Sequence, residues 1–261
     1  MYNFIIQSYA NYKGLFGWLS WFSYLTTVFL RPVVMVITYG VLGRFAGSPE
    51  VVQRYAIGIA VYSMPVIVLP GLAQCYTYDR SGGTLAFFYA TPVNRLVSYL
   101  SRPVFHYPNA LFSFVATLFA AWATVGLNLV PVNWAGFVIS TLVTAASVTA
   151  LGQFLGTFAI VFRDWTNVQA VATGSLLVLT GVIIPITVFP TGIQAFARFL
   201  PMTNGLIAVQ QTFAGNSLSD VTGYILWESL VALGYAVLGY AGFLLFERVA
   251  KRMGTLELEA F

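Results

Sequence analysis

The sequence is poor in charge, and this sets the class of protein before any motif is considered. Only 8% of its 261 residues are Asp, Glu, Lys or Arg, whereas 59% are hydrophobic and the mean hydropathy is +0.82. Soluble domains carry about 25% charged residues. A water-exposed globular protein of this size is therefore excluded.

Cysteine and histidine are scarce as well. The single cysteine, Cys75, excludes an internal disulfide framework and a multi-cysteine metal site. The single histidine, His106, lies between two aromatic residues, where we expect a structural role in the membrane interface. The phosphate-binding pattern G-x-x-x-x-G-K-[ST] and the HExxH zinc pattern do not occur. We therefore predict no catalytic residues and no metal or cofactor bound by this chain.

Long apolar runs are what the sequence has in abundance. A helix needs about 20 such residues to span the ~30 Å hydrocarbon core of a bilayer, whereas a membrane barrel would show alternating segments of about 10 residues. The runs predict an all-α polytopic membrane protein that forms a single transmembrane domain over residues 1–261. The six predicted spans cover approximately residues 22–45, 55–76, 103–127, 134–162, 168–188 and 221–246.

Three segments outside these spans carry predictions of their own. Residues 1–20 have apolar side chains on one helical face, which predicts an amphipathic helix in the membrane interface. Residues 189–220 are too polar and interrupted to span, and are predicted to form short outer helices of interfacial or re-entrant type. Residues 78–102 form a polar, partly helical interval between spans two and three.

Small residues in span four predict close helix packing. Gly152 and Gly156 are spaced as GxxxG, a pattern that lets helix backbones approach each other in lipid. A neighbouring helix of the same chain is the first interpretation, and a second subunit is the alternative.

Two charged residues fall inside the predicted spans. Arg31 lies in span one, where it either snorkels to the inner surface or faces the protein interior. Glu228 lies about seven residues into span six. For this glutamate the first interpretation is an ion pair with one of the outer arginines, Arg44, Arg54 or Arg198. For both residues a place on a substrate path is the alternative.

The basic residues determine the predicted orientation. With both termini inside, nine of the twelve lysines and arginines fall on the inner side and three on the outer side. Because cytoplasmic loops are enriched in Lys and Arg, we predict that both termini, the interval 78–102 and the break at 163–167 are cytoplasmic. The segment 189–220 then lies outside.

The interval 78–102 contains an ordered series of residues. Asp79-Arg80-Ser81 leads into Gly82-Gly83-Thr84-Leu85, and Thr91-Pro92-Val93-Asn94-Arg95 follows. This series resembles the cytoplasmic signature of type-2 ATP-binding-cassette exporter permeases. Asp79 stands where glutamate is commoner in that family, and Ala86 where the family often has glutamate.

A second series is similar to the span-five and outer-loop region of the same family, so the resemblance extends over nearly the whole chain. Its members are Arg163-Asp164, Gly181-Val182-Ile183-Ile184-Pro185, Phe189-Pro190, Leu200-Pro201-Met202-Thr203 and Ala214-Gly215.

The resemblance implies a permease subunit in a bacterial inner membrane, exporting an amphiphilic drug, antibiotic, lipid or lipid-linked glycan. Separate ATP-binding-cassette ATPase subunits, which bind the ATP and Mg, would drive a permease pair formed with a second copy or a paralogue. No nucleic acid is expected as a partner. The residues implied to couple to the ATPase are Asp79, Arg80, Gly82, Gly83, Thr84, Leu85, Phe87, Phe88, Thr91, Pro92, Arg95, Arg163 and Asp164. A gradient-driven secondary transporter or channel is the alternative function.

Residue chemistry gives the interval a physical interpretation beside the resemblance. Gly82-Gly83 allows a sharp turn after span two, and Thr91-Pro92 stops the short helix predicted over 84–91. In a partner's groove such a helix would act as a rigid lever on the attached spans. Burial of the same aromatics in the membrane interface is the alternative. The apolar side chains concerned are Leu85, Phe87, Phe88 and Tyr89.

The predicted orientation can be tested by cysteine labelling. Single cysteines placed at Ser48 and Ser217, after replacement of Cys75, should react with a membrane-impermeant maleimide added outside intact cells. Labelling of these positions only from the cytoplasmic side would overturn the orientation.

Overall fold

The computed structural model describes residues 30–45, 49–81, 94–162 and 165–253, together with isolated positions before residue 30. Within these residues every regular element is helical and no β-strand occurs. The α-helices are α1 Arg31–Phe45, α2 Pro49–Ser81, α3 Arg95–Ser101, α4 His106–Val125, α5 Trp134–Thr157, α6 Trp165–Leu179, α7 Thr191–Ala197, α8 Thr203–Phe213 and α9 Leu218–Met253. Short 3-10 turns lie at Phe158–Ile160 and Ile186–Val188.

Four helical stretches in this part of the chain are long and apolar enough to cross a membrane. They are Glu50–Arg80, Arg95–Val125, Trp134–Ile160 and Leu218–Arg252, and a fifth, Asn167–Leu179, is apolar but shorter. The prediction of an all-α, multi-pass protein is thus confirmed. The six-span topology remains a prediction, because only four stretches of the described residues are long enough to span. The interfacial helix over 1–20 also remains a prediction, because most of residues 1–29 lie outside the described positions.

Helix α2 is the centre of the bundle. Its most apolar stretch is 89% buried, and the helix contacts α1, α4, α5, α6 and α8. Its two internal prolines, Pro65 and Pro70, do not end it, because the helix is continuous from Pro49 to Ser81. Burial on all sides explains why this span reads as apolar around its whole circumference rather than as amphipathic.

Glycines allow α5 to lie directly against α2. A Cβ atom at Gly152 would stand 3.0 Å from the Leu72 side chain, and one at Gly156 would stand 3.1 Å from the Leu72 carbonyl oxygen and the Tyr76 ring. Such distances are shorter than ordinary carbon contacts. The prediction that this pair packs within its own bundle is therefore confirmed.

The polar interval between spans two and three is shorter than predicted. Helix α2 continues through Tyr78 to Ser81, and α3 begins at Arg95, where the Asn94 side chain caps it by accepting from the Leu96 and Val97 amides. Helix α3 is folded into the bundle, with Ser98, Tyr99 and Ser101 buried. Only its middle, residues 82–93, lies outside the described positions.

Three other boundaries also differ from the predictions. The loop expected over 46–54 is helical from Pro49, because proline suits a helix start and Glu50 lies favourably in the first turn. Span five ends at Leu179 rather than 188, just before Gly181, which has a φ of +90°. Helix α9 extends seven residues beyond the predicted end of span six.

Close packing at Gly156 yields a stability prediction. Gly156→Ala should lower the free energy of unfolding by about 1–3 kcal/mol, because the neighbouring backbone carbonyl cannot move away from the new methyl group. The measurement is thermal or denaturant unfolding of the purified protein in detergent. The matched control is Gly234→Ala in α9, where a Cβ atom has no neighbour within 4 Å. Equal stability of the two variants would contradict this account of the packing.

Candidate functional site

Charged side chains at the end of α2 and the adjoining ends of α3 and α9 make two groups of ion pairs and one hydrogen bond to a backbone carbonyl. Together they are called here the charged cluster. Its members are Asp79, Arg80, Arg95, Arg102, Glu247 and Lys251. They lie on both sides of residues 82–93 in the sequence. The charged cluster is therefore the part of the fold that flanks residues 82–93.

The ion pair between Asp79 and Arg102 is the most buried link of the charged cluster. An Arg102 Nη2 atom lies 2.6 Å from the Asp79 Oδ2 atom, and the arginine side chain is only 2% exposed. The guanidinium also lies over the Tyr76 ring, 4.1 Å from its centroid. A buried cation needs such partners because it has lost its water. The pair joins the end of α2 to the turn after α3, on opposite sides of residues 82–93.

A second link joins α3 to α9. Arg95 Nε and Lys251 Nζ both contact the Glu247 Oε1 atom, at 3.1 and 2.6 Å, and the glutamate side chain is 7% exposed. Tyr99 in α3 also donates its hydroxyl to the Ala236 carbonyl of α9, at 3.3 Å. The first turn after residues 82–93 is therefore tied to the last membrane-spanning helix.

Three further hydrogen bonds connect this end of the bundle to α5 and the chain that follows it. Arg80 donates from Nη1 to the Val161 carbonyl at 3.0 Å. Gln153 donates from Nε2 to the Tyr76 hydroxyl and to the Tyr99 carbonyl, each at 2.9 Å. A single amide of α5 thus bridges α2 and α3.

Aromatic rings pack beside the charged cluster and join the same helices. This aromatic cluster consists of Tyr76, Tyr99, Phe158, Trp165, Phe243 and Phe246. The Phe158 and Trp165 rings stack with centroids 4.9 Å apart, and the Phe158 and Phe246 centroids are 4.8 Å apart. Ring contacts at such separations are favourable beyond simple burial. Trp165 begins α6 immediately after residues 163–164.

Three of the thirteen predicted ATPase-coupling residues belong to the charged cluster: Asp79, Arg80 and Arg95. The other ten lie outside the described residues: Gly82, Gly83, Thr84, Leu85, Phe87, Phe88, Thr91, Pro92, Arg163 and Asp164. Their contact with a partner remains a prediction.

Sequence reasoning missed the residues that hold the predicted ones in place. In the sequence Arg102 and Lys251 count only among the nine inner basic residues, and no motif marks Glu247 or Gln153. An available signal was the placement of Gln153 within an otherwise apolar span, where a polar side chain needs partners from its own protein.

Glu228 forms a separate buried site near the opposite end of α9. Its side chain is fully buried and accepts hydrogen bonds from three donors: the Ser147 hydroxyl of α5, the Met202 amide and the Gly205 amide. The two amide nitrogens lie 2.6 and 3.0 Å from its oxygens. Both belong to the N-terminal end of α8, where the helix dipole favours a negative charge.

The chain entering α8 is shaped to reach this carboxylate. Met202 has a φ of +80°, a left-handed conformation that is unusual for a residue with a side chain, and its amide then points at Glu228. Gly205 has no side chain, and a Cβ atom there would collide with Thr144 of α5. The close approach of α8 to α5 therefore requires glycine at this position.

The expectation that Glu228 pairs with an outer arginine is wrong for Arg54 and Arg198. Among the described ion pairs none includes Glu228. The Met202 and Gly205 amides neutralise Glu228 in place of an arginine. They are held in position by α8, and they add no second charge that would have to be buried. The Arg44 side chain lies outside the described positions, as does that of Arg31, so the place of Arg31 on a substrate path remains a prediction.

His106, the first residue of α4, is buried against α2. Its Nε2 atom lies 3.5 Å from the Cys75 sulfur, and its ring lies against Gly71, where any Cβ atom would collide with it. The glycine of α2 therefore creates the space for the ring. In the described residues, no group of three or more His, Cys, Asp or Glu side chains is arranged to hold a metal ion.

Several apolar helices long enough to cross a bilayer, joined by buried charges at their ends, define a multi-pass helical membrane protein. The family model of the ABC-2 type transporter matches residues 7–214, most of the chain. The chain therefore belongs to the ABC-2 type transporter family, as the sequence resemblance indicated. A comparison with curated proteins gave no match. Membership makes the chain the membrane permease component of an ABC transporter, a system that works with an ABC ATPase.

The Glu228 site yields a stability prediction. Glu228→Ala should lower the free energy of unfolding by about 3 kcal/mol or more, because it leaves buried amides without an acceptor. Glu228→Gln keeps one acceptor oxygen and should cost less. The measurement is chemical denaturation of the purified protein in detergent.

Glu50→Ala serves as the control for this prediction, because Glu50 is an exposed acid in the first turn of α2. A Glu228→Ala variant as stable as the Glu50→Ala variant would refute the structural role assigned to the carboxylate.

Proposed function

We propose that this chain is the permease subunit of an exporter driven by separate ABC ATPase subunits that dock on residues 82–93. The observation that carries the proposal is the charged cluster. Its ion pairs hold both flanks of this segment: Asp79 before it pairs with Arg102 after it, and Arg95 after it pairs with Glu247 of α9. A surface segment that only connected two spans would not need buried ion pairs on both of its flanks.

The geometry gives a route for mechanical force. A displacement of residues 82–93 by an ATPase would move α2 and α3 together, because the Asp79–Arg102 pair joins them. Through Glu247 and the Tyr99 hydroxyl it would also reach α9. Packed helices respond to such displacements by rotating or sliding as rigid bodies. The cytoplasmic input would therefore reach three membrane-spanning segments at once.

Residues 163–164 are proposed as a second, smaller contact with the ATPase. Arg80 binds the Val161 carbonyl just before them, and Trp165 packs into the aromatic cluster just after them. A push on this segment would thus act on the same end of the bundle as a push on residues 82–93.

The basic residues of this end support a cytoplasmic placement. Arg80, Arg95, Arg102 and Lys251 all belong to the charged cluster, whereas Arg54 and Arg198 line one cleft at the other end of the bundle. This separation supports an orientation in which the charged cluster faces the cytoplasm of a bacterial cell and both termini lie on that side.

An amphiphilic cargo fits the surfaces of the chain. A recess of about 360 Å³ beside α3, α5 and α9 has almost wholly apolar walls, among them Leu100, Val104 and Ala146. The cleft at the opposite end combines charged and amide side chains with apolar ones. We propose that a second copy or a paralogue completes the transport path, as the family resemblance implies. A gradient-driven transporter is less well supported, because the carboxylate oxygens of Glu228 are already engaged by Ser147 and two amides.

The docking proposal is tested by co-purification with the partner ABC ATPase. Phe87→Asp combined with Phe88→Asp should abolish recovery of the ATPase on the tagged permease, because two buried charges would replace the apolar contact. The matched control is Phe196→Asp with Phe199→Asp, two exposed aromatics at the other end of the bundle, which should leave the complex intact.

A second measurement separates the exporter from a gradient-driven channel. The permease alone, reconstituted in nucleotide-free liposomes, should release trapped carboxyfluorescein no faster than protein-free liposomes. Rapid release from these liposomes, or recovery of the intact complex with the Phe87 and Phe88 variant, would argue against the proposed function.

A further inference from the structure

A polar cleft of about 690 Å³ opens at the end of the bundle opposite the charged cluster. It lies between the first two turns of α2, the chain after α6, and helices α7, α8 and α9. Its volume is within the range of about 300–1,000 Å³ found for small-molecule sites. Nothing in the proposed coupling to an ATPase uses this cleft.

Two arginines and one carboxylate supply the charge of the polar cleft. Arg54 is half-buried, Arg198 is exposed, and Glu50 is the acidic residue among the lining side chains. Within the described part of the chain, neither guanidinium makes an ion pair or a hydrogen bond. The cleft thus carries a net positive charge, with donors available to a ligand.

The backbones of these arginines are nevertheless held in place. The Arg198 carbonyl accepts from Asn204 Nδ2 and from Trp227 Nε1, each at 2.9 Å. The Arg54 carbonyl accepts from Gln210 Nε2 at 3.4 Å. The Asn204 and Met202 region is in turn fixed by Glu228. Donors on a fixed backbone lose less conformational entropy when a ligand binds.

Uncharged polar groups extend the site beyond the arginines. Gln53, Gln211, Asn216 and Tyr224 line the same cleft. Side-chain amides both donate and accept, as hydroxyl groups do. A ligand that combines an anion with hydroxyl groups would therefore match the cleft better than a plain anion.

Exposed aromatics beside the cleft are of the kind that lie at the level of lipid headgroups. Phe196, Phe199 and Trp227 are 57%, 58% and 40% exposed. The centroids of the Phe199 and Trp227 rings are 5.5 Å apart. Tryptophan and other aromatic residues concentrate where the bilayer meets water. The indole of Trp227 binds the carbonyl of Arg198, so one cleft arginine lies beside this aromatic group.

We propose that the polar cleft binds an anionic, hydroxylated phosphate headgroup. Arg54 and Arg198 hold the phosphoryl oxygens, because guanidinium groups bind phosphate through paired, charge-assisted hydrogen bonds. The neighbouring amides and Tyr224 hold the hydroxyl groups. The headgroup can come from a bilayer phospholipid or from a soluble polyol phosphate, and the two sources are separated by experiment.

The test is a titration of the full chain, purified in a non-ionic detergent without any ATPase, so that its result is independent of the proposed function. The probes are dihexanoyl phosphatidylglycerol, dihexanoyl phosphatidylcholine and glycerol 1-phosphate, followed by calorimetry. Saturable binding of phosphatidylglycerol is expected, with affinity for phosphatidylcholine at least about tenfold weaker. Comparable binding of glycerol 1-phosphate identifies a soluble source, and its absence identifies the lipid.

Variants locate the site. Arg54→Gln with Arg198→Gln should weaken phosphatidylglycerol binding by about tenfold or more, whereas Arg248→Gln, an exposed arginine near the other end of α9, should leave it unchanged. Thermal unfolding verifies that each variant is folded. If the glutamine variants do not fold, Arg54→Lys with Arg198→Lys keeps the charge and should still weaken binding, because paired hydrogen bonds are lost.

Three results would overturn the proposal. They are no saturable binding of either anionic probe, equal binding of phosphatidylcholine, or full affinity in the double arginine variants.

Discussion

The burial of one positive charge, that of Arg102, organises the end of the molecule where the proposed docking segment is attached. An arginine that is 2% exposed must be neutralised by its own protein, and it is neutralised by Asp79 and the Tyr76 ring. Asp79 lies in the last turn of α2, and Arg102 follows α3. Neutralising the Arg102 charge therefore brings together the two helices that residues 82–93 connect. Gln153 then ties the same two helices to α5. Removing Asp79 would leave the buried Arg102 cation without its anion, so separating the two helices carries a large free-energy cost.

A buried charge is also neutralised near the other end of the bundle, but by backbone amides rather than by an ion pair. Glu228 has the amides of Met202 and Gly205 in place of a cation. A fixed helix end can neutralise a carboxylate without burying a second charge, at the expense of the left-handed conformation of Met202. Both solutions produce cross-links between helices. In an apolar bundle the hydrophobic effect does not select one helix neighbour over another, whereas buried polar contacts and close-packed glycines do.

The sequence was sufficient for the features that depend on composition and spacing. Long apolar runs gave the helical, multi-pass architecture, and the GxxxG spacing gave the contact of Gly152 and Gly156 with another helix of the chain. It was insufficient for partners that are distant in sequence. Asp79 was identified as a site residue, but nothing near it indicated Arg102, 23 residues later. Glu228 was identified as unusual, but amides are present at every residue except proline, so no sequence pattern marks Met202 and Gly205 as its donors. Span five was predicted too long because hydropathy does not register the left-handed Gly181.

Helix α9 connects the two ends of the molecule. Glu247 joins it to α3 at the charged cluster, and Glu228 joins it to α8 beside the polar cleft. The two glutamates are 19 residues apart on one continuous helix, which corresponds to about 29 Å. Its most apolar stretch is only 17% buried, and α5 is the helix that it contacts most extensively. A displacement of the proposed docking segment that moved Glu247 would be carried along this continuous helix to Glu228, because buried contacts hold both carboxylates. The proposed route from the docking segment to the polar cleft therefore runs through α9.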